Sequence, residues 1–495
     1  MRTLRLLGIN LLGVVAIAFA APVSVSAQSG WIRDVTIVSP ELAAAVPGMH
    51  VVLNDGRIQE ITAAPSAAAR AADDVIDGTG RFLMPGLIDS HVHLRSVPGM
   101  LDSHAKALPD LDRIGRAQIP RSYLYYGFTS LVDLVGAADY IGEWNALEIR
   151  PDVHWCGGAP VANGYPTAFF PPELRFRILP YSLWDAGQGA AVPEGIDPAA
   201  QTPAAVVKRM KADGAICVKT FYEPGFGGRR DWPTPPLELI RRLVEAGHAE
   251  GMPVLIHANS QEAQGFALES GADIIVHGMW HWNDNEQTEQ PPEVAALLDE
   301  IVSRGIGYQP TMQVIYGERD LFDEAFLDDL EFANAVPAEL IAWYRTDEGK
   351  WFRDRLAGPR GLPEDSSSVN AAPISRLKQT VAKIADSEAR LLFGSDTPSA
   401  PIYANPHGLN GSLELRALAD AGIDPARLFR AATIENARAF GLDSEIGTIE
   451  PGKVANLLLL REDPLESVEA YDSIEKIILH GRILDRAALS ALSAR

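Results

Sequence analysis

Eight short apolar runs, each followed by a connection long enough for a helix, constrain this chain more than any other feature. They occupy residues 87–94, 129–134, 153–157, 216–221, 254–258, 274–278, 306–310 and 391–395. Amphipathic spacing predicts helices at 202–213, 237–251, 262–270 and 293–305. Strands that alternate with helices form βα units and hence a parallel sheet. Eight such units predict an α/β fold of the TIM-like (β/α)8 barrel type. The flanks read differently. Strand candidates at 35–38, 51–53 and 57–61 surround the turn Asn54-Asp55-Gly56, and a hairpin-like unit spans 75–82. Near the other end, 424–440 reads as a helix with Asp424 as N-cap and Pro425 in its first turn. Strands at 456–460, 476–479 and 482–484 follow, with Gly481 in the last turn. The expectation is a barrel at 85–446 and a small β-sandwich domain composed of 28–84 and 447–495. Two connections, 157–201 and 311–390, exceed the usual barrel loop and read as lids or as contacts of a homo-oligomer.

The first 27 residues carry Arg2 and Arg5, an apolar run at 11–21 and the small residues Val25-Ser26-Ala27. That order is the pattern of a secretory signal peptide cleaved near Ala27, which predicts a periplasmic or secreted enzyme. The run is shorter than the roughly 20 residues a membrane span needs, so no stable membrane anchor is expected. With 65 acidic against 43 basic side chains and a net charge of −22, the surface repels phosphate backbones, and nucleic acid is not an expected partner. Two cysteines, Cys156 and Cys217, are too few for a disulfide framework. They could pair only as barrel neighbours; two buried thiols are expected.

Polar residues that can bind metal stand at strand ends. In Leu87-Ile88-Asp89-Ser90-His91-Val92-His93-Leu94, His91 and His93 are two apart and share one face of a strand. By itself an HxH is weak, since 11 histidines in 495 residues produce one by chance in roughly a quarter of such chains. Its weight comes from partners. His257 closes the run before it, His277 closes another, and Asp396 follows Gly394-Ser395. All lie at C-terminal strand ends, where barrels build active sites. A lone histidine there is more often a packed core residue; four with an aspartate on strands one, five, six and eight are not an accident of packing. Lys219 ends the fourth strand. Either it snorkels outward, or it faces inward, where desolvation leaves its amine partly neutral and able to form a carbamate with carbon dioxide.

The run from Met84 to His93, together with Lys219, His257, His277 and Gly394-Ser395-Asp396, resembles the amidohydrolase superfamily, in its binuclear imidazolonepropionase-like and Xaa-Pro or Xaa-Arg dipeptidase-like branch. The segment 447–457 resembles the family's entry into its terminal β domain, with Asn456 where the family usually has Asp. The resemblance implies two divalent metal ions. His91, His93 and Asp396 would hold one, His257 and His277 the other, and Lys219, as N6-carboxylysine, would bridge them. Imidazole and carboxylate donors suit zinc. It also implies a water activated between the ions for attack on a carbonyl, with Asp396 as proton carrier.

For substrate, the resemblance points to a small-molecule amide, a dipeptide or an N-acyl amino acid. Deaminase branches commonly carry Glu three residues after the strand-five histidine; here that position is Ser260, which argues against deamination. Tyr222 is a candidate hydrogen-bond donor to the substrate carbonyl. Arg229, Arg230 and His281 are candidates to contact the rest of the substrate. Two other readings are a lactonase or phosphotriesterase acting at the same site, and a non-catalytic barrel kept as a binding module. A Lys219→Ala variant is expected to fall from about two bound metal ions per chain towards one or none and to lose hydrolysis, as a shared ligand requires. Metal analysis checks this, and full metal content with full activity would rule out the bridge.

Overall fold

In the computed structural model, residues 29–185, 187, 192, 194–226 and 229–493 are described. The expected signal peptide at 1–27 lies outside the described residues. No helix among those described is long and apolar enough to cross a membrane.

Eight strands build one sheet from both chain ends. β1 (Gly30–Ile37), β2 (Val46–Asn54) and β3 (Arg57–Thr62) form an antiparallel meander, and β4 (Asp74–Asp77) and β5 (Phe82–Pro85) add parallel to β1. The parallel barrel strands are β6 (Leu87–Val92), β7 (Phe128–Asp133), β8 (Asp152–Gly158), β9 (Cys217–Phe221), β10 (Val254–His257), β11 (Ile274–Val276), β12 (Gly307–Gln309) and β13 (Arg390–Leu391), each paired with the next. β14 (Leu457–Leu460), β15 (Ile474–Leu479) and β16 (Arg482–Asp485) then return to the first sheet, where β14 pairs antiparallel with β5. The fold is thus a TIM-like barrel with a small β domain contributed by both ends. The anticipated helices are present at Pro203–Ala212, Leu237–Ala249, Gln261–Ser270 and Pro292–Ser303. Asp424 caps its helix by accepting from the Ala426 backbone N–H.

Two packed layers explain why these strands are apolar on both faces. Val218, Ile256 and Ile275 join the large cluster shared with the helices, whereas Cys217, Leu255, Ile274 and Val276 join a cluster inside the barrel. Side chains alternate along a strand, so Lys219 lies on the inner face with Cys217, and His257 with Leu255. Only one residue, Gly86, separates β5 from β6, and space is tight there. A Cβ on Gly86 would fall inside the Thr129 side chain, so the chain can pass from β5 into β6 only without one. The long connections hold helices of their own, including Gln313–Asp320, Ala338–Tyr344 and Ala371–Ala385.

One expectation is corrected here. Cys156 and Cys217 are joined in a disulfide, not present as two thiols. They are register partners on β8 and β9, with Cα atoms 4.4 Å apart, and both point into the barrel. Sequence spacing holds no information on that register. Replacing both by alanine is expected to lower unfolding stability by about 2–5 kcal/mol, the usual effect of removing a native crosslink. Thermal and denaturant unfolding of the double variant measure it.

Candidate metal centre

The barrel closes between β6 and the segment after β13, and the closure assembles the centre. The backbone N–H of His93 donates to Thr397 O at 2.7 Å, and that of Asp396 donates to His91 O at 2.8 Å. This register sets the Asp396 carboxylate against both histidines of β6. Its Oδ1 lies 3.0 Å from His91 Nε2 and 2.9 Å from His93 Nε2, while its Oδ2 lies 3.9 Å from His277 Nδ1. The His277 ring stands 5.4 Å from that of His91 and 4.5 Å from that of His257. His91, His277 and Asp396 each present a donor atom, all within 4.8 Å of one another. Strict alternation after Val276 would turn His277 towards the helices. Its φ of +82° breaks the alternation, a strained conformation of the kind that collects at functional sites. Asp396, at φ +55°, is left-handed as well.

Lys219 enters from β9. Its side chain is 1% exposed and its Nζ has no hydrogen-bond partner. Burial pulls the amine down to about 7, against the opposing charge of Asp396. Such an orphaned amine inside a barrel is costly unless its chemistry or its surroundings change. Three of the four histidines are kept neutral by the same means; at His93 burial acts likewise, but the hydrogen bond to Asp396 overcomes it and raises the imidazole above its usual value. Burial lowers His91 to about 3, holds His277 well below its usual range and lowers His257, although Glu223 opposes the shift at His257. Burial also acts against ionisation of Asp396, but the adjacent His91 and His93 overcome it and hold the carboxyl well below its ordinary value. Three neutral imidazoles, an ionised carboxylate and an unpartnered amine together fit divalent cations.

Neighbouring groups orient these side chains. The Gln309 amide donates to Ser90 Oγ at 2.8 Å, which leaves its Oε1 as acceptor for His91 Nδ1 at 3.0 Å. With its proton on Nδ1, His91 offers the Nε2 lone pair to a cation, and Nε2 faces the Asp396 carboxylate at 3.0 Å. His277 Nδ1 meets Thr311 Oγ1 at 2.7 Å. Buried Asp89 accepts from Ser395 N at 3.0 Å and His91 N at 3.2 Å, tying β6 to the loop that carries Asp396.

Three of the anticipated substrate contacts are engaged elsewhere. Tyr222 donates to Glu262 at 2.7 Å and packs on Phe266. Arg230 also meets Glu262, at 3.3 Å, and Arg229 pairs with Asp231. Their own chain already supplies carboxylate partners for both arginines. His281 sits beside Asn259 and Ser260, half buried, and feels the charge of Glu223. Sequence reading missed Glu223, Asn259, Gln309, Thr311 and Tyr165. The first four stand within two residues of a strand end, which was the available signal. Tyr165 had none, because it reaches the centre from the long connection after β8. Its ring lies 5.0 Å from His257, stacks on Trp232 and meets Phe169, Phe221 and Phe226 edge-on.

Residues 82–484 match the amidohydrolase family. The chain belongs to that family. It is a hydrolase acting on carbon–nitrogen bonds, and the binding-module reading is set aside. Among curated relatives, a 5-methylthioadenosine/S-adenosylhomocysteine deaminase of Moorella thermoacetica is 24% identical over 487 residues, covering 92% of this chain and 93% of the relative. An imidazolonepropionase of Micrococcus luteus is 27% identical over 54% of this amidohydrolase and 69% of its own length. In solved structures, an Xaa-Pro dipeptidase with methionine in its active site superposes with a TM-score of 0.61 at 20% identity, over 92% of this chain and all of the other. An A. niger ochratoxinase reaches 0.64 at 18%, over 93% and 96%. At these identities the structural likeness speaks for the fold.

Packing beside the centre is tight at Gly394. A Cβ there would lie 2.5 Å from Gln309 Cδ and 2.7 Å from His91 Cβ. Gly394→Ala is therefore expected to displace both side chains and weaken metal binding about 10- to 100-fold, as read by chelator competition on the purified protein.

Proposed function

We propose that this amidohydrolase cleaves the amide bond of a dipeptide or N-acyl amino acid at a centre of two divalent ions, with zinc the ion its donors suit. The observation that carries this reading is Lys219: a buried amine without a partner, on the inner face among three neutral imidazoles and Asp396. A carbamate on Nζ would turn it into an anionic oxygen donor shared by both positions, with His91, His93 and Asp396 on one side and His257 and His277 on the other. Bound ions would acidify a water and polarise the substrate carbonyl. Asp396 is positioned to take the proton from that water and return it to the leaving nitrogen. The aromatic group around Tyr165 shields the His257 side from bulk water.

Export accords with two independent features. Residues 1–27 carry the leader pattern, and the Cys156–Cys217 disulfide is of a kind that persists in oxidising compartments.

Deamination is the second reading, favoured by the deaminase relative that spans nearly the whole chain. A panel of dipeptides, N-acyl amino acids, aminopurine nucleosides, lactones and aryl phosphotriesters separates the possibilities. The expected result is release of amino acid from the amides, reduced about 10²- to 10⁴-fold in Asp396→Asn as for loss of a proton carrier. Turnover confined to ammonia release from the nucleosides, or to the esters, would overturn the amide assignment.

A further inference from the structure

Glu223 lies four residues beyond Lys219 and is 3% exposed. Its Oε1 accepts the Gly225 backbone N–H at 2.8 Å. Its Oε2 accepts from Asn259 Nδ2 at 2.8 Å and faces His257 Nε2 at 3.3 Å. All of these donors are neutral groups in a buried pocket, and no lysine or arginine is among them. A buried carboxylate in such a setting is unfavourable unless a positive charge compensates it.

The centre itself indicates where that charge would sit. A carboxylate can only accept, so His257 donates through Nε2–H and keeps its lone pair on Nδ1. Asn259 stands two residues after His257 on the same strand end and donates its amide to the same oxygen, which fixes the carboxylate in place. The other two oriented histidines have weaker partners: the neutral Gln309 amide for His91 and the Thr311 hydroxyl for His277. Of these three, His257 alone has an ionised group on the ring nitrogen turned away from the centre, and a carboxylate behind an imidazole makes it a more basic ligand. Tyr165 covers the same ring at 5.0 Å, keeping the pair in a medium of low dielectric where its effect is large.

We infer that Glu223, held by Asn259, is the positioning residue of the second metal position, setting the tautomer of His257 and compensating the charge of the cation bound there. The inference rests on the two-metal reading above. It also accounts for a carboxylate that proton transfer by Asp396 leaves without a role.

The test uses the full-length protein loaded with cobalt, whose absorption bands report each site as metal is added or withdrawn by a chelator. Wild type is titrated first and is expected to bind two ions. Glu223→Gln keeps shape and hydrogen-bonding capacity but removes the charge; it is expected to bind one ion as wild type does and the other about 10- to 100-fold more weakly. Its turnover is expected to recover in excess metal. Asn259→Ala is expected to weaken the same ion by a smaller factor, and it carries the test if Glu223→Gln does not fold. Glu262→Gln, a contact of Tyr222 and Arg230, is expected to change neither. Two ions held with wild-type affinity in Glu223→Gln would overturn the inference. If turnover were lost in that case, Glu223 would be a proton carrier instead. Fewer than two ions in wild type would fail the metal reading itself, and that result is read before any variant is made.

Discussion

Closure of the barrel between β6 and the segment after β13 is the constraint on which the site depends. Those two stretches are separated by about three hundred residues, yet a few backbone hydrogen bonds set their register. The Asp396 N–H to His91 O bond and the His93 N–H to Thr397 O bond place one carboxylate against two imidazoles. Asp89 reinforces the joint from below by accepting from Ser395 and from the His91 backbone. A slip of one residue would turn the Asp396 side chain to the opposite face. The absence of side chains at Gly86 and Gly394 leaves the room this approach requires.

Burial then determines the chemistry. Transfer of an ionisable group from water disfavours its charged form, so the barrel interior keeps His91, His257 and His277 neutral and lowers the Lys219 amine. Asp396 remains ionised only because His91 and His93 face it. The same interior that drives folding by excluding water thereby prepares a set of lone pairs and one anionic oxygen for a cation. The polar residues behind them, Gln309, Thr311 and Glu223, satisfy the remaining ring nitrogens, as buried polar groups require.

The barrel itself was legible because its signal is local. Apolar runs, helix caps and turns are written within ten residues of one another, and seven of the eight strands fall where periodicity places them; the eighth, expected at 391–395, is the short Arg390–Leu391. The metal-binding candidates could be singled out too, since each lies on or shortly after a barrel strand and barrel strands run parallel to one mouth. Contacts that depend on loops were not. Tyr222 follows Lys219 closely enough to invite a role, but its hydroxyl belongs to Glu262 on the neighbouring helix. Arg229 and Arg230 looked free and are paired. Tyr165 stands against His257 from a connection whose course no short-range pattern predicts.

From the sequence alone came the barrel, the small β domain made by the two ends, and the identity of six polar side chains at the mouth. These follow from spacing, because alternation and strand direction are properties of the chain itself. Tertiary structure alone decided which of them meet and how each is oriented. It paired Cys156 with Cys217 across two registered strands, turned His277 inward through a left-handed backbone, and set Glu223 behind His257. Register, backbone strain and burial arise between distant segments, so no local pattern of residues records them.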